Sequence, residues 1–158
     1  MKTDSKHPMS ARLLSRSTRL LSAAAMAALV AGCGAMGMGM GTAPAGRVSL
    51  SGANEVPAVA TTATGSGLIR VAADRSVSGS ISTSGIDAKA AHIHMAPKGS
   101  NGPVIVTLTK VADGSWIVPD GAKLNDAQYA SYVAGDMYVN VHSAANPGGE
   151  IRGQLSSN

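Results

Sequence analysis

From Val48 onward, apolar side chains alternate with small or polar ones or fall in short β-branched runs, with one exception below. The segments are Val48–Leu50, Gly67–Val71, Ser76–Ser82, His92–His94, Val104–Leu108, Trp116–Val118, Tyr138–His142 and Glu150–Leu155. A period of two sends successive side chains to opposite faces, so each segment predicts a strand. Turn-forming clusters separate them: Ala73-Asp74-Arg75, Ser84-Gly85, Gly99–Pro103, Ala112-Asp113-Gly114 and Asn146–Gly149. Such short connections join antiparallel neighbours. The exception is Asn125–Ala134, where Tyr129, Tyr132 and Val133 recur at i, i+3 and i+4 between a capping Asn125 and a terminating Gly135. The pattern therefore predicts an all-β, antiparallel sandwich or barrel with one short helix near 125–134.

Charge changes the picture only once it is located. The chain has 13 Lys and Arg against 9 Asp and Glu, and its pI of about 9.5 invites a nucleic-acid partner. Five of those bases lie in the first 19 residues with only Asp4 opposing them, so from Cys33 onward the count is 8 against 8. That balance, with one Trp, three Tyr and no Phe, argues against nucleic-acid binding.

The basic start and the apolar run of 12 residues from Leu20 to Ala31 read as an export signal over 1–32, with Met1 or Met9 as its start. The run is too short for a permanent membrane span. Leu29-Val30-Ala31-Gly32-Cys33 resembles the bacterial lipobox, in which the Cys is acylated and becomes the new N-terminus. The resemblance implies a membrane partner through acylated Cys33, and Gly34 after it points to the outer membrane where the cell has one. Residues 33–46, rich in Gly and Met, then serve as a flexible tether to a domain at 47–158. Met36, Met38 and Met40 offer thioethers suited to Cu(I), although an apolar spacer is the simpler reading. Cys33 is the only cysteine, so its acylation leaves no disulfide, no Cys nucleophile and no thiolate ligand.

Candidate chemistry concentrates in three histidines. His92 and His94 share one face of their strand, and Asn140 and His142 share one face of another. If the strands are neighbours, the imidazoles converge in a geometry able to hold Cu or Zn with an open position. Met95, Asn140 or Glu150 would be the accessory ligand. The other readings are a structural polar cluster pinning the Gly/Pro loops, and a pH-sensitive cluster. Glu150 and Arg152 suggest a solvated ion pair with each other, or with Glu55 and Asp87. No G-x-S-x-G, G-x-x-x-x-G-K-[ST] or H-E-x-x-H motif is present, so no catalytic residue is assigned.

Several anchors together resemble the CHRD domain, named for chordin, an extracellular antagonist of bone morphogenetic proteins, and found in many microbial secreted proteins. They are Leu50–Pro57, Ala91–His94 with Asn101-Gly102-Pro103-Val104, Tyr138–His142 and Pro147–Leu155. The resemblance implies a Greek-key β-sandwich or barrel, immunoglobulin-like or like that of the Cu,Zn superoxide dismutases, and no assigned activity, and chordin's growth-factor binding does not transfer with it. It leaves as the first expectation a non-enzymatic binding or structural module with a protein or small-ligand partner. In it Glu55, Asn101, Gly102, Pro103, Gly148, Gly149 and Arg152 hold the loops. The His-x-His strand is also similar to the copper strand of Cu,Zn superoxide dismutases, which are Greek-key barrels. A dismutase site needs more histidines and an Asp-bearing zinc loop, so only a metal site carries over. The alternative expectation is a copper- or zinc-dependent redox or metal-handling protein using His92, His94 and His142.

Overall fold

The computed structural model describes residues 46–157; the expectations for the export signal, for Cys33 and for the tether before Gly46 fall outside the described residues. The elements run β1 (Arg47–Ser51), a 3-10 turn (Gly52–Asn54), β2 (Thr64–Val71), β3 (Val77–Ser84), β4 (Ala88–Met95), β5 (Val104–Thr107), β6 (Thr109–Ala112), β7 (Ser115–Ile117), α1 (Asp126–Ala134), β8 (Met137–Ser143) and β9 (Ile151–Gln154). The strands pair antiparallel in one sheet of order β5-β4-β8-β9-β1-β2-β3-β7-β6. Its two edge strands, β5 and β6, are separated in sequence by Leu108 alone. Consecutive Cα atoms lie about 3.8 Å apart, so the sheet has to curl until its edges meet. The Leu108 N–H completes the bend by donating to the Ala91 carbonyl on β4 at 2.9 Å. Over the described residues the fold is thus all-β, a nearly closed barrel-like sheet with one α-helix.

Strand alternation fills the interior. Val48 and Leu50, Val77 and Ile81, Ile93, Trp116, Val139 and Val141, and Ile151 point inward and form one buried cluster. Burying each such side chain contributes about 1.5–3 kcal/mol, which the alternation secures only in one register. Helix α1 starts on a capping box: Gln128 N–H donates to Asn125 Oδ1 at 2.9 Å, and Asn125 N–H donates to Gln128 Oε1 at 2.8 Å. It ends at Gly135, whose φ of 81° is left-handed.

Two details depart from expectation. Val133 was expected on the apolar helix face, but it is exposed while Tyr132 is buried. At 100° per residue Tyr132 and Val133 flank Tyr129 on opposite sides, and contact centred toward Tyr132 leaves Val133 in water. Strand β6 had no signal in the pattern, because all four of its residues are exposed and nothing alternates.

Candidate metal centre

The register of the sheet places the polar residues before any side-chain contact is considered. His92 faces Asn140, which faces Arg152, and His94 faces Tyr138, which faces Gln154. Ala90 faces His142. Opposed residues share a face, as do residues two apart on a strand. One face of β4, β8 and β9 therefore carries His92, His94, Tyr138, Asn140, His142, Arg152 and Gln154. Its other face carries the core residues Ala91, Ile93, Val139, Val141 and Ile151. Met95 shares the side of Ile93 by alternation, away from the histidines.

One ring nitrogen from each of His92, His94 and His142 lies within 4.8 Å of the others. A point then exists within about 2.8 Å of all three (4.8 Å divided by √3), so a contraction of under 1 Å reaches the 2.0–2.1 Å of a zinc–imidazole bond. The backbone fixes two of the tautomers. His94 Nδ1–H donates to the Gly102 carbonyl at 2.9 Å, and His142 Nδ1–H donates to the Pro147 carbonyl at 3.0 Å. Both lone pairs are left on Nε2. That of His142 accepts from His92 Nδ1–H at 2.9 Å. That of His94 is buried without a hydrogen-bond partner among the described residues. Burial pushes all three imidazoles below the ordinary histidine value, and repulsion from the other two adds to this for His92. Neutral imidazoles are the form that binds metal. His92 and His142 are half-buried, so the cluster is reachable from solvent.

The sequence of this sheet and its loops matches the CHRD domain over residues 47–155. The chain belongs to the CHRD family. No curated protein and no solved structure matches it. The family identity supports a β-fold binding or structural module.

In this CHRD domain the histidine-bearing face is roofed by loops that side chains pin. Asn101 Nδ2 donates to the Val56 carbonyl at 2.7 Å, Gly102 N–H donates to Tyr138 Oη at 3.2 Å, and the Pro103 carbonyl accepts from Met95 N–H at 3.1 Å. In the second loop Gly149 N–H donates to the Asn146 carbonyl at 3.0 Å, while a side chain at Gly148 would meet nothing within 4 Å. Gly149, at φ 132°, is packed so closely that a methyl there would lie 2.7 Å from Glu55 Oε1 and 2.8 Å from Asn140 Oδ1.

Of the three accessory residues expected, Met95 faces away and Glu150 is held elsewhere, while Asn140 keeps its Oδ1 buried without a hydrogen-bond partner among the described residues. Asn140 Nδ2 donates to both oxygens of Glu55, at 2.9 and 3.1 Å. Glu150 lies outside the histidine group. Its Oε1 accepts from Thr61 Oγ1 at 2.8 Å and its Oε2 from Ser143 Oγ. The bond from Ser143 holds its carboxyl below the usual range despite burial, helped by Thr61 and Asn146.

The expected solvated pair of Glu150 and Arg152 is a correction too. Both are buried, Arg152 at 1% exposure, and Asp87 pairs with Lys89 instead. Arg152 lies over the Tyr138 ring, with its guanidinium carbon 3.4 Å from the centroid. The reason is topological: the β9 face that Arg152 occupies is the one the loops cover, so its charge is held by an aromatic face and neutral acceptors. Tyr138 was missed as a site residue, although Tyr138, Asn140 and His142 already share a parity in sequence.

Glu55 is 6% exposed, and burial pushes its carboxyl up to about 7 against the opposing Arg152 charge and Val56 N–H. Between pH 4.5 and about 7 the unfolded chain ionises at this position while the folded one keeps its proton. Stability is therefore lost as pH rises through that window, by up to about 3 kcal/mol. Glu55→Gln should accordingly gain on the unsubstituted chain as pH rises, and urea unfolding near pH 4.5 and pH 8 measures it. An unchanged difference between the two chains at both values contradicts the assignment.

Proposed function

We propose that this CHRD domain is a metal-binding module of the bacterial cell envelope, taking one copper or zinc ion on His92, His94 and His142. The observation that carries the reading is the pair of backbone carbonyls at Gly102 and Pro147. Each accepts the Nδ1–H of a histidine, which leaves an Nε2 lone pair inside the cluster. Metal-ligating histidines almost always donate their second ring nitrogen in this way. A buried acceptor without a partner costs about 1–3 kcal/mol, and a metal at His94 Nε2 removes that cost. Three protein ligands leave a coordination position for a water or a partner's donor group.

Equilibrium dialysis of the full chain against Cu(II) or Zn(II) tests this: one ion per chain should be retained. No retention above that of a histidine-free control protein sinks the proposal.

Export and lipidation at Cys33 complete the reading. They are supported by the basic start, the apolar run of 12 residues and the position of the chain's only cysteine at its end. Acyl chains contribute roughly 0.8 kcal/mol per buried methylene, so several chains on one residue anchor persistently. Cys33→Ser should move the protein from the membrane to the soluble fraction; retention with membranes contradicts acylation as the anchor.

A further inference from the structure

We propose that Arg152 makes the three-histidine centre selective for monovalent copper over divalent ions, a step that rests on the metal-binding reading. Arg152, Tyr138 and His94 form a three-layer stack. The guanidinium carbon lies 3.4 Å from the Tyr138 centroid, and the Tyr138 ring lies within 8° of parallel to His94 at 4.9 Å. The guanidinium's hydrogen-bond acceptors are all neutral: Asn101 Oδ1 at 3.2 Å, and the Pro97 carbonyl and Gln154 Oε1 at 3.5 Å. Among the described residues the ion pairs are Arg75–Asp126, Lys89–Asp87 and Lys110–Asp113, so no carboxylate pairs with Arg152. Glu55, whose charge Arg152 feels, is hydrogen-bonded to Asn140 instead and is half-neutral near pH 7.

The ligands themselves supply no negative charge, since they are three imidazoles, and the ionised Glu150 lies outside the cluster, bonded to Ser143 and Thr61. A divalent ion would place two charges in a half-buried site above a fixed cation, and a monovalent ion places one. At an effective dielectric near 20 and a separation of roughly 8–10 Å, each added charge weakens binding on the order of tenfold. Imidazole suits copper and zinc alike, so the ligand type does not decide between them and the field of Arg152 does.

The test measures Cu(I) and Zn(II) affinities of the full chain by competition with chromophoric chelators, Cu(I) under anaerobic reducing conditions. Arg152→Met keeps an unbranched stem able to lie over Tyr138 but removes the charge. It should tighten Zn(II) on the order of tenfold more than Cu(I), while Arg152→Lys keeps the ratio of the unsubstituted chain. A ratio unchanged in Arg152→Met overturns the inference and leaves the metal site standing. Binding of neither ion by the unsubstituted chain overturns the three-histidine reading itself, and this inference with it. Should the Met variant not fold, the unsubstituted chain decides: Zn(II) at equal free concentration should not displace bound Cu(I), and displacement overturns the selectivity.

Discussion

Replacing His94 by alanine should abolish the metal-induced rise in thermal stability of the domain. An ion that binds only the folded state at 100 times its Kd adds about 2.7 kcal/mol, or about 10–15 °C in Tm for a domain of this size. His94 is the ligand prepared most completely, with Nδ1 committed to Gly102, Nε2 buried without a partner and its ring stacked on Tyr138. His92 is prepared differently, because its Nδ1–H now occupies the His142 lone pair at 2.9 Å and has to give it up when metal enters. Loss of either ring removes a direct ligand, so affinity should fall by more than the roughly 10- to 100-fold that a lost supporting hydrogen bond costs. The His92→Ala/His94→Ala chain should melt at the same temperature with and without metal. A rise equal to that of the unsubstituted chain places the ion elsewhere.

Gly102→Ala should damage fold and centre together. A methyl at this position overlaps the Met95 carbonyl oxygen and lies 2.7 Å from its carbon and 2.9 Å from Ala96 Cβ. The obstruction is mostly backbone, so no flexible side chain can yield and the loop itself has to move. That loop carries the carbonyl that orients His94 and the N–H that donates to Tyr138. We expect a loss of about 2–4 kcal/mol. Tm should fall by about 10–20 °C. Metal affinity should weaken about 10- to 100-fold, as when a supporting hydrogen bond to a ligand is lost. Gly148→Ala is the control, since nothing lies within 4 Å of the added methyl. A Gly102→Ala domain as stable as the Gly148→Ala one contradicts this role.

The strands were legible because Val48, Leu50, Ile81, Ile93, Val139 and Val141 keep strict alternation, and because Asn125 and Gly135 mark the helix with unambiguous caps. Strand β6 was not, since Thr109–Ala112 gains its place from pairing with β7 and buries nothing of its own. The parity of His92, His94 and His142 was equally plain in the sequence. That β4 and β8 are neighbours was an assumption there, because long-range pairing depends on how the whole sheet closes.

Arg152 shows where local reading fails. Two residues from Glu150, it looks like half of a surface ion pair. The loops over β9 bury it against Tyr138, and no property of the pentapeptide around it contains those loops. Glu55 is similar, a carboxylate in a turn whose partner, Asn140, lies 85 residues away.

The most direct measurement is X-ray absorption at the metal edge of the chain loaded with one equivalent of copper or zinc. The account predicts three imidazole nitrogens at about 2.0–2.1 Å, with the outer-shell scattering of the rings. A first shell dominated by oxygen, or one with fewer than three imidazoles, would contradict it.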